Sequence, residues 1–69
     1  MTTGAILTQL RKEKDVCQKE VARHLKVSIG TISNYENNVH FPDLDMLKKL
    51  ADYFGVTTDY LLGRTAYRG

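Results

Sequence analysis

Between Ser28 and Asn37 the chain reads Ser-Ile-Gly-Thr-Ile-Ser-Asn-Tyr-Glu-Asn, a run rich in short hydroxyls and amides and free of Lys and Arg. The chemistry open to such groups is directional hydrogen bonding at close range. Asn can pair bidentately with adenine in the DNA major groove, and Ser or Thr can approach any base edge there. A helix advances about 100° per residue, so the faces of this run follow from spacing. With Ile32 pointing to the core, Ser28, Tyr35 and Glu36 fall within about 60° of it. Gly30, Ser33, Asn34 and Asn37 fall at about 100° or more, with Ile29 and Thr31 on opposite flanks. The outward face is small, polar and uncharged, where surface helices usually carry Lys and Glu. The competing reading is a helix of modest polarity that is simply exposed.

Glu36 falls on the inward side, where a lone carboxylate is costly. It needs a cation, and the first helix offers Arg11. The expected role is a structural ion pair, not a catalytic acid. His24, His40 and Cys17 lack metal-ligand spacing, and Asp43 and Asp45 suit a helix N-terminus favoured by the dipole. No catalytic residue, metal or cofactor is expected, and the chain does not read as an enzyme.

The elements that must position these groups are short helices. Apolar residues recur at three- and four-residue spacing, and no stretch alternates as a strand does. Ile6, Leu7 and Leu10 mark a first helix ending near Asp15, a residue tolerant of left-handed backbone. Cys17-Gln18-Lys19-Glu20 has the shape of a capping box with a poor acceptor in the cap position. Val21, Ala22 and Leu25 are the buried face of that second helix. Ser28 caps a third, running to about Glu36, after only Lys26 and Val27. Two helices joined so tightly must cross steeply, which is helix-turn-helix geometry, over about residues 17–36. Asp43 caps a fourth helix with the stripe Leu44, Leu47, Leu50, Ala51 and Phe54, stopped at Gly55. Thr57 caps a short fifth through Tyr60, Leu61 and Leu62, stopped at Gly63. Tyr53 and Tyr60 read as core-edge residues. Residues 64–69 are expected to fray.

Sixty-nine residues make one domain with a modest core and little room for an enclosed cleft. The single cysteine has no internal disulfide partner, the N-terminus lacks the pattern of a signal peptide, and no apolar run nears the ~20 residues of a membrane span. A cytoplasmic protein is expected. The net charge of +2 is distributed unevenly: residues 1–34 carry +3 and residues 35–69 carry −1. The positive half suits a polyanion, although solvated helix faces produce the same asymmetry.

The run Gln18-x-x-Val21-Ala22-x-x-Leu25-x-Val27-Ser28-x-x-Thr31-Ile32-Ser33-x-Tyr35-Glu36-Asn37, then Pro42 with the Leu44 stripe, then Gly55-Val56-Thr57-x-Asp59-Tyr60-Leu61-Leu62-Gly63, closely resembles the phage repressor and Cro-like helix-turn-helix (XRE) family. The resemblance covers roughly residues 5–63. It implies a compact, all-α, five-helix lambda-repressor-like domain whose third helix enters the major groove. It also implies a homodimer on a near-palindromic operator, acting most often as a repressor of phage or mobile-element type. The matching glutamine, Gln18, would hold a phosphate at the start of helix two. The implied DNA-contact set is Gln18, Ser28, Ile29, Gly30, Thr31, Ser33, Asn34 and Asn37, and an Arg11–Glu36 pair is common in the family.

Three positions depart from the family pattern. Cys17 stands where Ser or Thr is usual. Ile29-Gly30 replaces a polar pair, offering a thymine-methyl contact and a close backbone approach instead of hydrogen bonds. Val39-His40-Phe41 replaces a loop that often carries Lys or Arg. Phe41, Tyr60, Leu61 and Tyr67 are the expected dimer contacts, with Leu61 equally suited to the core. Double-stranded DNA and a second copy of the chain are the expected partners; a protein partner such as a toxin is the alternative.

Overall fold

The computed structural model describes all of residues 1–69, which form five helices and no strand. They are α1 (Thr3–Lys14), α2 (Gln18–Leu25), α3 (Ile29–Glu36), α4 (Leu44–Phe54) and α5 (Thr58–Leu61). Local signals set their ends. Thr2, Ser28, Asp43 and Thr57 are extended residues whose side chains accept from the N–H three residues on, capping α1, α3, α4 and α5. Cys17 has the same extended backbone but makes no such bond, so α2 alone lacks a side-chain cap. At the other ends Asp15, Lys26 and Gly55 turn left-handed, and their N–H groups return to carbonyls of the last turn.

None of these helices is long enough to persist in water alone, so packing must hold them. Eleven buried residues form one cluster: Ile6, Leu7 and Leu10 from α1; Val21, Ala22 and Leu25 from α2; Ile32 from α3; Leu47, Leu50 and Ala51 from α4; and Leu61 from α5. α1 touches α3, α4 and α5, while α3 packs between α1 and α2. α3 therefore presents its opposite side outward. No helix is long and apolar enough to cross a membrane.

Two expectations are corrected. Leu44, read as the start of the α4 stripe, is 65% exposed, because as the first helical residue it lies beyond the end of the core. Leu61 is fully buried and so is core, not a dimer contact. Residues 64–69, expected to fray, are exposed and hold no helix or strand, and contacts link them to the rest of the domain. The Thr57 N–H donates to the Arg68 carbonyl at 2.8 Å, and Arg68 forks onto the Glu13 carboxylate at 2.7 and 3.1 Å while lying over the Tyr60 ring.

Candidate nucleic-acid interface

The turn between α2 and α3 is three residues, Lys26 to Ser28. Lys26 adopts the left-handed conformation (φ 61°), half-buried Val27 tucks under the turn, and Ser28 caps α3 through the Thr31 N–H at 3.1 Å. Ile32 then anchors α3 in the core. One buried residue in the first turn and a half leaves the rest of the helix surface to solvent or to a partner.

The expected contact residues gather on that surface. Ser28, Gly30 and Asn37 are exposed, Ile29 is 47% exposed, and Thr31, Ser33 and Asn34 are half-buried. Ser28 is an exception to the facing inferred from helical spacing. As the cap it precedes the helix, so the 100° rule does not reach it, and its hydroxyl is exposed beside that of Thr31 at 2.9 Å. Asn37 Nδ2 donates to Ser33 Oγ at 3.3 Å, while Asn34 takes no part in these bonds. Exposed Lys19, Arg23 and Lys26 place cations on α2 and the turn, whereas α3 itself has none.

Gly30 is the second residue of α3, in its first turn, where Gly gives up some helix stability relative to Ala, by less than the roughly 1 kcal/mol of a helix interior. Its own fold does not require it. A Cβ at Gly30 would meet only Ser28 Oγ, at the ordinary contact distance of 3.7 Å.

Gln18 is the first residue of α2, and its side chain turns toward the end of α3, where Nε2 donates to Glu36 Oε1 at 3.0 Å. Arg11 reaches the same carboxylate from α1, with Nε to Oε2 at 2.7 Å and Nη2 to Oε1 at 3.2 Å, and also donates to the Val16 carbonyl at 3.1 Å. The side chains are 17% exposed at Arg11 and 7% at Glu36. Burial alone would push the Glu36 carboxyl up, but the hydrogen bonds from Arg11 and Gln18 outweigh it and hold its pKa below the ordinary value. One carboxylate thus ties α1, α2 and α3 together.

Reasoning from sequence missed a second junction at the same end of α3. Asn38 is left-handed (φ 60°); its Oδ1 accepts the Gly4 N–H at 3.1 Å and its Nδ2 donates to Thr2 Oγ1 at 3.2 Å. The signal was an Asn just past a helix, a residue type that tolerates this conformation. Of the expected dimer contacts that remain on the surface, Phe41 is 61% and Tyr67 70% exposed, and Tyr60 is half-buried under Arg68.

An uncapped helix, a three-residue turn and a capped helix pinned by one core residue with a polar face outward define a class of domain, the helix-turn-helix. The chain belongs to that family: it matches the pattern described as "Helix-turn-helix domain" over residues 4–66, and it is of the XRE type. It is 41% identical over 64 residues to the HTH-type transcriptional regulator ImmR of Bacillus subtilis, covering 93% of this chain and 50% of that protein. It is 39% identical over 56 residues to the HTH-type transcriptional activator BcrR of Enterococcus faecalis, covering 81% and 28% respectively. It is 38% identical over 50 residues to the cryptic phage CTXphi transcriptional repressor RstR of Vibrio cholerae, covering 72% and 45%. The chain therefore spans about half the length, or less, of these curated relatives.

Proposed function

We propose that this chain binds double-stranded DNA sequence-specifically and regulates transcription, as a repressor of the phage or mobile-element type. α3 reads the major groove, and Gln18 with the start of α2 holds a phosphate. The observation that carries this reading is the outer face of α3. It is polar and uncharged, and it includes a glycine that the packing of the domain does not need. A helix gives up stability at Gly30, and close approach of an external surface is the physical return for that loss. At the start of α2 the Gln18 and Lys19 N–H groups make no bond within the chain and are open to a phosphate oxygen. The repressor direction rests on the likeness to the phage repressor, since the other relatives include an activator.

The unit that reads DNA is a homodimer. The α2–α3 pair occurs once among the five helices, and two half-sites one DNA turn, about 34 Å, apart call for two such pairs. The surface for this contact is the flank of α5 with Tyr60 and Tyr67, and Phe41 in the α3–α4 loop.

Selection of bound duplexes from random DNA, followed by mobility shifts on the selected duplex, tests the reading. Enrichment of a two-fold symmetric motif is expected. Recovery of no motif, or equal affinity for selected and random duplexes, overturns it.

A further inference from the structure

We infer that Glu36 is a positioning residue for DNA binding, acting through the Gln18 side chain it holds. The inference rests on the DNA-binding reading above and concerns what sets the Gln18 contact. A glutamine amide presents two donors and one acceptor, and free rotation offers a phosphate either end. Only the nitrogen end attracts an anion. In the structure that nitrogen donates one hydrogen to Glu36 Oε1 at 3.0 Å, which fixes the orientation of the amide and leaves its second hydrogen for an external acceptor. Glu36 can serve as the fixed point because it is itself fixed. Arg11 holds both of its oxygens, its side chain is 7% exposed, and it stands at the end of α3 facing the first residue of α2. The carboxylate also polarises the amide, since a donor engaged with an ionised acceptor forms the stronger kind of bond. Arg11 thereby acts at one further remove, keeping Glu36 ionised and in place.

The inference makes a prediction opposite in sign to simple electrostatics. Glu36→Gln removes one negative charge, and the less negative chain alone should bind a polyanion more tightly. Loss of the fixed amide loosens it. The experiment is a cycle of DNA affinities by fluorescence anisotropy, on a duplex selected by the unmodified chain, using Gln18→Met, Glu36→Gln and the double variant. Folding of each at the assay temperature is checked by circular dichroism. Gln18→Met should weaken binding about fivefold to tenfold, the scale of one hydrogen bond. Glu36→Gln should weaken it by a similar factor with Gln18 present, and by less than about twofold in the Gln18→Met background. If Glu36→Gln does not fold, the pair R11M/E36M takes its place, because apolar residues of similar volume commonly sustain the packing of a buried ion pair. The same dependence on the presence of Gln18 is expected of it.

Tighter or unchanged binding by Glu36→Gln, equal losses in both backgrounds, or no loss from Gln18→Met overturns the inference while leaving the DNA-binding reading intact. Failure of the unmodified chain to select any duplex overturns the DNA-binding reading and this inference with it.

Discussion

Gly4 lies directly against Asn38, with its N–H 3.1 Å from the Asn38 Oδ1. This places the first turn of α1 on the end of α3 and the residues just after it, with no α1 side chain between them. A Cβ at Gly4 would collide with the Glu36 carbonyl, and would stand 2.7 Å from the Tyr35 carbonyl and 2.8 Å from Asn38 Oδ1. The contact braces α3 from behind, at the end opposite its Ser28 cap, so the outward face is held at both ends.

Gly4 and Gly30 should respond oppositely to alanine. Gly4→Ala must shift backbone and should destabilise the domain by about 1–3 kcal/mol or more. Gly30→Ala meets no obstruction and should stabilise it by up to about 1 kcal/mol, while weakening DNA binding by crowding the groove. Thermal melts and mobility shifts on both variants check this. A Gly30→Ala protein that binds DNA normally would show that no close approach occurs there.

The Arg11–Glu36 pair should couple to pH. The pKa of Glu36 is held below its ordinary value of 4.5, so its ionised form favours the folded state. That stability is complete above the unfolded pKa and is lost as pH falls through the lower folded value. Removing one partner should cost up to about 3–5 kcal/mol, most of the stability of a domain this small. A double-mutant cycle in melts at neutral pH should be strongly non-additive, and at low pH the coupling should shrink. Additive effects at neutral pH would dismiss the pair as a stabilising unit.

Asn34 should carry sequence information. Asn34→Ala should cost about 1–3 kcal/mol on the selected duplex and little on random DNA. Gln18→Ala, by contrast, should weaken binding without changing the motif recovered by selection, as expected of a contact to the DNA backbone. An equal loss on both duplexes for Asn34→Ala would remove it from base reading.

Cys17 occupies a cap position without capping. Cys17→Ser should raise stability by about 1 kcal/mol, since a serine oxygen can accept the N–H that the thiol does not. The melting temperature measures it, and no rise would mean that the Glu20 N–H, which donates to the Cys17 carbonyl at 3.1 Å, gains nothing from a second acceptor.

Assembly should depend on the surface aromatic residues. Sedimentation with a palindromic selected duplex should find two chains per duplex, and Tyr67→Ser or Phe41→Ser should shift saturation toward one. One unmodified chain per duplex at saturating protein would end the homodimer reading.

Much of this protein was legible in one dimension, because helix ends and faces are short-range matters. Ser28, Asp43 and Thr57 announce caps within three residues, Asp15 and Gly55 announce stops, and the apolar spacing around Ile32 separates the inner from the outer face of α3. The Arg11–Glu36 pair was readable too, since a carboxylate on an inner face demands a cation and the first helix supplies one. What depended on how separate helices meet was not readable. Leu61 and Leu44 are both apolar residues near a helix end, yet one is buried under α1 and the other stands beyond the core, a difference no local spacing encodes. Gly4 looked like any small residue until the end of α3 was placed on it, and the partners of Arg68, 55 residues away at Glu13, and of Gln18 at Glu36 exist only once the chain has closed. Short-range sterics and hydrogen bonding choose the helices; only the shared core decides which ends touch.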